Sequence, residues 1–119
     1  MLTYKQALLA AYTILDDLND QIHCEALVSL LSDMNPFVFT DRTPADPATW
    51  QEWISCAEHI QSGGTLAADN VLKTLVSFLR FNEEQYGYKT NLILKDIQTA
   101  AYQKRWGQLL EKAATLKDV

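Results

Sequence analysis

Proline occurs in only one short stretch of this chain, and this restricts what the rest of it can fold into. All three prolines lie between residues 36 and 47, so the 35 residues before them and the 72 after them contain none. A proline ring clashes with the preceding helical turn and removes a backbone donor, so proline interrupts helices. The sequence therefore predicts helices on both sides of a loop centred on the Asp33–Trp50 segment.

The proline-free segments show the apolar spacing of amphipathic helices. In the first segment the stripe consists of Tyr4, Leu8, Ala11, Leu15 and Leu18. Thr3 precedes this stripe, and Gln6 follows three residues later, which completes a capping box. The predicted helices cover residues 4–20, 21–32, 47–61, 65–86 and 89–116. No strand pair is predicted, and the fold class is an all-α bundle with a proline- and aromatic-rich loop between its second and third helices.

The last predicted helix leaves the helix count open at five or six. Its apolar stripe over residues 92–101 is displaced from the one over residues 102–116, so one curved helix or two helices would fit. A break near residues 103–105 is favoured, because Gly107 weakens a helix by about 1 kcal/mol relative to alanine. Residues 1–119 are expected to form a single domain, since their number suits one core.

The orientations of two helices can also be predicted. On the third helix Trp50, Ile54 and Ala57 share one face, so they are expected to point inward with Trp53 on the flank. The fourth helix is the most apolar, and apolar residues cover more than half of its circumference. It is therefore expected to lie at the centre of the bundle.

Composition excludes several classes of protein. The chain is 48% hydrophobic and 21% charged, which argues against disorder. No apolar run approaches the roughly 20 residues that span a bilayer, and the N-terminal segment lacks a signal-peptide pattern. A cytoplasmic location is therefore expected, with Cys24 and Cys56 as buried thiols.

The charge distribution bears on the class of partner. The net charge of -5 disfavours nucleic acid, because phosphate binding needs clustered lysine and arginine. Residues 1–88 carry four basic and twelve acidic side chains, whereas residues 89–119 carry six basic and three acidic ones. Either acidic helices pack beside a basic C-terminal helix, or the acidic part attracts a basic partner.

The loop places carboxylates among large aromatic side chains. Its carboxylates are Asp33, Asp41 and Asp46, and its aromatic residues are Phe37, Phe39, Trp50 and Trp53. Asp46 is expected to cap the third helix, with Pro47 at the first helical position. Two interpretations of the aromatics remain open: they cover the end of the bundle, or some form an exposed anchor with a polar rim.

No catalytic or metal-binding constellation emerges from the sequence. His23, Cys24 and Glu25 are consecutive on a predicted helix and so point in different directions. The segment from Asp33 resembles the start of a calcium loop, but Val38 stands where that loop needs glycine. Nucleophile motifs and phosphate-binding loops are absent. The protein is therefore expected not to be an enzyme and to use no cofactor and no metal.

The loop residues carry a resemblance to known proteins. Asp33-Met-Asn-Pro-Phe37, Asp41, Ala45-Asp-Pro-Ala48 and the Trp50–Trp53 pair resemble small acidic all-helical bacterial proteins of unknown function. Some of these are associated with immunity against polymorphic or contact-dependent toxins. The resemblance contains no active-site motif. It implies a stoichiometric protein–protein binder that neutralises a toxin.

The expected function is therefore that of a protein–protein interaction module with an acidic and aromatic surface. In its most specific form, the module is an immunity protein whose partner is a basic toxin domain. The predicted partner-binding residues are Asp33, Phe37, Phe39, Asp41, Asp46, Glu52 and Trp53. One alternative is a helical protein that self-associates through the loop as a homodimer. Another is a small metal-dependent hydrolase built on a bundle. No membrane contact is expected.

Overall fold

Six helices and one pair of two-residue strands make up the described part of the chain. In order they are β1 (Leu2–Thr3), α1 (Tyr4–Ile22), α2 (Glu25–Met34), α3 (Pro47–Ile60), β2 (Thr65–Leu66), α4 (Ala68–Tyr86), α5 (Asn91–Ile97) and α6 (Ala100–Ala114). The computed structural model describes residues 1–22, 24–88 and 90–116, except the side chains of residues 91, 92, 100 and 101. The predicted all-α bundle is confirmed.

The first helix starts as the sequence predicts. The backbone N–H of Thr3 donates to Gln6 Oε1 at 2.8 Å, and the N–H of Gln6 donates to Thr3 Oγ1 at 3.1 Å. These reciprocal bonds satisfy donors that a helix start leaves free. The five residues of the predicted apolar stripe are all buried. The capping box and the stripe of α1 are thus confirmed.

The centre of the bundle is α1, and the prediction that α4 lies there is wrong. α1 packs against α2, α3, α4, α6 and both strands. Its buried side includes Ala7, Ala10 and Ala11, whose small side chains allow neighbouring helices to approach closely. α4 instead places Thr74 and Asn82 among its buried residues. Its inward face is therefore partly polar, in spite of its apolar composition.

Helix α1 also runs further than predicted. It continues past Asn19 and Asp20 to Ile22, and α2 then begins at Glu25. Acidic residues near a helix C-terminus oppose the dipole by only about 0.3–1 kcal/mol. Burial of Leu18 and partial burial of Ile22 outweigh this cost. Of the three consecutive residues His23, Cys24 and Glu25, which the sequence argues against as a metal site, His23 lies outside the described residues.

A strand pair joins the N-terminus to the turn after α3, contrary to prediction. β1 and β2 are antiparallel, with Leu2 opposite Leu66 and both side chains buried. Gly63 and Gly64 have φ values of 109° and 87°, which glycine adopts without strain and which redirect the chain. Helix α4 consequently starts at Ala68, because residues 65 and 66 are paired with β1.

The C-terminal region forms two helices, as favoured from the sequence, but the break lies elsewhere. It falls at residues 98–99, where the Thr99 hydroxyl donates to the carbonyl of Asp96 at 2.9 Å. Gly107 lies inside α6. This helix runs antiparallel to α1, and Arg105 Nε lies 3.1 Å from Asp17 Oδ2. A basic side chain of the C-terminal region thus pairs with an acidic side chain of α1, so part of the charge asymmetry is balanced within the fold.

The helices enclose one hydrophobic core drawn from every helix and from both strands. Cys56 is buried and Cys24 is half-buried, and both are free thiols. The buried location predicted for the cysteines is confirmed for Cys56 and only partly for Cys24. None of the helices in the described ranges has the length and apolar character needed to cross a membrane.

Candidate functional site

The segment between α2 and α3, residues 35–46, forms a loop whose base is closed by backbone hydrogen bonds. The N–H of Ala45 donates to the carbonyl of Asn35 at 3.0 Å, and the N–H of Asp46 donates to that of Asp33 at 3.1 Å. Pro36 and Pro44 are buried just inside these points. The prolines that interrupt the helices therefore also fix both ends of the loop.

Side-chain hydrogen bonds hold the interior of the loop. Asn35 Oδ1 accepts from the N–H of Phe37, and Asp41 Oδ1 accepts from the N–H and the hydroxyl of Thr43. The hydrogen bonds from Thr43 lower the pKa of Asp41. Lys5 Nζ donates to the carbonyl of Asp41 at 2.8 Å. Asp41, a predicted partner-binding residue, thus shapes the loop itself.

Three adjacent apolar side chains of the loop are exposed. The exposed fractions are 58% for Phe37, 58% for Val38 and 44% for Phe39. The Phe37 ring meets Tyr12 edge-on at 5.9 Å, and the guanidinium of Arg42 lies 5.5 Å from the centre of that ring. Phe37, Val38 and Phe39 are called the aromatic patch below. For Phe37 and Phe39, the structure favours the exposed alternative.

Trp53 takes the other alternative and belongs to the core. It is 0% exposed, its Nε1–H donates to the carbonyl of Tyr4 at 3.0 Å, and its ring meets Phe78 edge-on at 5.5 Å. Trp50 and Ile54 are only half-buried. Of the predicted inner face of α3, Ala57 is buried as expected, but Trp53 takes the inward position that was expected for Trp50 and Ile54. Because Trp53 is buried, it does not belong to the predicted partner surface.

The remaining predicted carboxylates meet in an acidic pocket at the base of the loop. This pocket, of about 230 Å³, is lined by Asp33, Thr49, Asp46, Glu52, Asn82, Tyr86 and Tyr88. Asp46 Oδ1 accepts from the N–H of Ala48 at 2.9 Å, with Pro47 at the start of α3, so the predicted cap is confirmed. Asp33 and Asp46 flank the loop, and Glu52 follows from the next turns of α3.

The pocket perturbs two of its titratable groups. Burial raises the pKa of Asp33, and the nearby charge of Asp46 raises it further. The hydroxyl of Tyr86 donates to Glu52 Oε1, which raises the pKa of Tyr86. Nearby carboxylates thus contribute to both shifts, after burial at Asp33 and with the hydrogen bond to Glu52 at Tyr86, and none of the described lysine and arginine residues lines the pocket. The site is therefore electrostatically suited to a positively charged group.

Replacing Asp33 by asparagine should remove one contribution by which stability falls as pH rises. The folded protein holds the Asp33 proton more tightly than the unfolded chain does, so its stability falls as pH rises from 3.8 through the raised pKa. Asp33→Asn removes that loss and should gain up to about 1 kcal/mol at neutral pH, a value kept small by solvent screening. Urea denaturation between about pH 3 and pH 7 measures it.

The exposed Glu58 on α3 provides the control. Glu58→Gln should retain the wild-type dependence of stability on pH, because Glu58 does not line the acidic pocket. An Asp33→Asn variant with the same pH dependence of stability as wild type would contradict the raised pKa of Asp33.

Sequence reasoning missed the part of the pocket that comes from α4 and the segment after it. Asn82, Tyr86 and Tyr88 lie far from the loop in the sequence. One signal was available: Asn82 lies one helical turn after Phe78, on the apolar face of α4. A polar residue in that position is buried and needs a partner or a role.

Chemically, the loop carries an exposed apolar patch, and a separate pocket of oxygen acceptors lies at its base. Phe37 lines a different cavity, together with Leu9 of α1 and Leu109 of α6. Within residues 1–22, 24–88 and 90–116, no three histidine, cysteine, aspartate or glutamate side chains converge as metal ligands would. Comparisons with protein-family models, with curated proteins and with solved structures find no match to this chain. What the site does must therefore be inferred from its own geometry and charge.

Proposed function

We propose that this protein is an interaction module that binds a basic partner protein through the aromatic patch and the acidic pocket. One observation carries the proposal: Phe37, Val38 and Phe39 are exposed side by side on a loop whose backbone is held by hydrogen bonds. Exposed apolar patches with polar rims are typical of interaction sites. A preorganised loop also pays little entropy on binding.

Charge specifies the class of partner. Asp33, Asp46 and Glu52 lie at the base of the loop, and the whole chain has a net charge of -5. Complementary charge speeds association and excludes partners of the same sign. A second copy of this acidic chain would bring like charges together, which disfavours self-association through this surface. A basic protein is the partner that fits.

In its narrower form, the proposal is that the protein is an immunity protein that masks a basic patch on a toxin. A stoichiometric inhibitor needs a surface that is formed before binding and needs no catalytic group. The braced loop supports the first requirement. The loop residues Asp33–Phe37, Asp41, Ala45–Ala48 and the Trp50–Trp53 pair resemble small acidic helical bacterial proteins of unknown function. Some of those proteins are associated with immunity, which is the reason for proposing a toxin as the class of partner.

The test is capture with the tagged protein from a lysate of the source organism, followed by reconstitution of the complex from purified components. We expect a basic protein that forms a complex of equal stoichiometry, measured by light scattering after gel filtration. Its association rate should fall as salt is raised from about 0.05 M to 0.5 M, because screening weakens steering.

Two results would contradict the proposal. Recovery of only untagged copies of the bait, with a mass that rises with concentration, would make the aromatic patch a dimer interface. A captured partner whose association rate is independent of salt would exclude a role of the carboxylates in attracting that partner. In the toxin form, the purified protein should abolish the partner's toxic activity at equal concentration, and activity that persists would exclude immunity.

A further inference from the structure

A groove of about 600 Å³ lies between the last turns of α3 and the middle of α4. Its volume is within the usual range of small-molecule sites. It shares no lining residue with the acidic pocket, and the three residues of the aromatic patch do not line it either. The groove is therefore separate from the surface that is assigned to the partner protein.

The groove concentrates positive charge within the acidic part of the chain. Residues 1–88 contain four lysine and arginine residues against twelve aspartate and glutamate residues. Two of the four, Lys5 and Arg42, contact the loop between α2 and α3. The other two, Lys73 and Arg80, both line the groove. Scattered surface charge would not bring both remaining cations of this segment to one cavity.

Neither Lys73 nor Arg80 forms an ion pair with another residue that the structure describes. Asp69 precedes Lys73 by four residues and Glu84 follows Arg80 by four, a spacing that permits pairing along a helix. Such exposed pairs are weak, and here they do not form. Glu84 is the acidic residue of the lining, so the groove has an excess of one positive charge. Both cations therefore remain available to an anion.

Helix periodicity brings further polar side chains to the same groove. Lys73, Ser77 and Arg80 follow one another at spacings of four and three residues, which places them on one face of α4 over a length of about 10 Å. Ser55 and His59 lie one turn apart on α3 and line the facing wall. Neither of these two side chains has a hydrogen bond to a described residue. Both walls thus offer free polar groups.

Apolar side chains form the floor of the groove. Cys56 is buried, and Ile60, Val76 and Phe81 are half-buried. Burial raises the pKa of the Cys56 thiol, so this side chain is a neutral part of the floor rather than a nucleophile. An apolar floor below a cationic rim suits a ligand in which an anionic group is joined to an apolar body.

The number of cations and donors selects among anions. A carboxylate carries one negative charge, whereas a phosphate monoester carries about 1.5–2 at neutral pH and has three strong acceptor oxygens. Arginine binds phosphate through two parallel hydrogen bonds, and lysine adds a compact positive charge. Lys73 and Arg80, with the hydroxyl of Ser77 between them, therefore match a phosphate monoester better than a carboxylate.

We propose that the groove between α3 and α4 binds a small organic phosphate. The phosphate group lies between Lys73 and Arg80 and accepts a hydrogen bond from the hydroxyl of Ser77, while the apolar body of the ligand lies on Val76 and Phe81. This site goes beyond the proposed function and uses none of its residues, so either can fail without the other.

The test is an NMR titration of the ¹⁵N-labelled full chain with phenyl phosphate, which joins a phosphate monoester to an aromatic ring. Sodium chloride holds the ionic strength constant, so that general screening does not change during the titration. We expect saturable shifts of the backbone amides of Ser55 and Ser77, with a Kd in the millimolar range that is usual for a ligand of this size.

Four further probes separate the parts of the ligand. Inorganic phosphate lacks the apolar body and benzoate has a single negative charge, so each should bind at least about fivefold more weakly than phenyl phosphate. Benzyl alcohol, which is uncharged, should give no saturable shift. The acetyl-amide of phosphotyrosine places the same phosphate on a peptide backbone, and it should bind no more tightly than phenyl phosphate.

Variants locate the site. Lys73→Gln and Arg80→Gln should each weaken binding of phenyl phosphate about fivefold, as expected for exposed charge-assisted contacts. Both side chains are exposed, so the fold should be retained. Glu84→Gln should strengthen binding, because it removes the negative charge that faces the phosphate. The control is Lys104→Gln on α6, which changes the net charge equally at an exposed residue outside the groove and should bind as wild type does.

The outcomes decide the inference independently of any captured protein. Saturable shifts that both groove variants weaken and Lys104→Gln leaves unchanged support the site, even if no basic partner is found. No saturable shift with phenyl phosphate up to about 0.1 M overturns it, and so does an equal loss of binding in Lys104→Gln. Equally tight binding of benzoate, benzyl alcohol or inorganic phosphate also overturns it. Much tighter binding of the phosphotyrosine probe overturns it in favour of a phosphorylated protein.

Discussion

Replacing Trp53 by alanine is expected to destabilise the protein by about 3–5 kcal/mol, the usual range for deleting a large buried aromatic side chain. Trp53 is 0% exposed and packs edge-on against Phe78. The substitution leaves a cavity and removes the bond from the indole N–H to the carbonyl of Tyr4. Since whole domains are stable by only about 5–15 kcal/mol, urea denaturation followed by helical circular dichroism should show a large shift.

Two matched variants separate packing from hydrogen bonding and from helix orientation. Trp53→Phe retains most of the ring volume but loses the donor to the carbonyl of Tyr4. It should therefore lower the free energy of unfolding by about 1 kcal/mol relative to wild type. Trp50→Ala, on the half-exposed side of α3, should cost clearly less than Trp53→Ala. If Trp50→Ala is the more damaging, α3 is rotated and Trp53 returns to the partner surface.

The orientation of α3 shows where sequence reasoning fails. Trp50, Trp53, Ile54 and Ala57 cover two neighbouring sides of the helix, so apolar spacing allows either to face inward. The choice is made by groups distant in the chain, among them Phe78 in α4. Such tertiary contacts are not encoded in the local pattern, and a prediction from periodicity alone cannot resolve them.

Local signals, in contrast, are predicted well because their partners lie within a few residues. The pair of bonds between Thr3 and Gln6 and the cap by Asp46 both appear in the structure. The β1–β2 pair is the counterexample, since three helices separate Leu2 from Leu66 in the sequence. A two-residue strand also has no detectable alternation of its own.

The candidate site likewise has one part that follows from the local sequence and one part that does not. The loop, its carboxylates and its exposed aromatics follow from prolines and charges that lie close together in sequence. The acidic pocket does not, because Asn82 and Tyr86 reach it from the end of α4. Only the unusual position of Asn82 on an apolar helix face marks that helix in advance. Pockets between elements thus need the tertiary fold before they can be identified.

Replacing Phe39 by serine is expected to weaken binding of the captured partner at least about thirtyfold, the loss of about 2 kcal/mol that marks an interface hot spot. Phe39 is 44% exposed, so its truncation should change the free energy of unfolding by no more than about 0.5 kcal/mol. Phe37→Ser should weaken binding as well but also lower stability, since it removes the contacts with Tyr12 and Arg42.

The control is Val28→Ser, which removes a 51% exposed apolar side chain from α2, outside the loop. It should leave affinity unchanged, and an equal loss in both variants would contradict the assignment of the aromatic patch. The rates of association with, and dissociation from, surface-immobilised partner give a sharper criterion. Because Phe39 carries no charge, Phe39→Ser should raise the dissociation rate and leave the association rate nearly unchanged. Glu52→Lys should slow association and reduce its salt dependence, because it reverses a charge that steers the basic partner towards the acidic pocket.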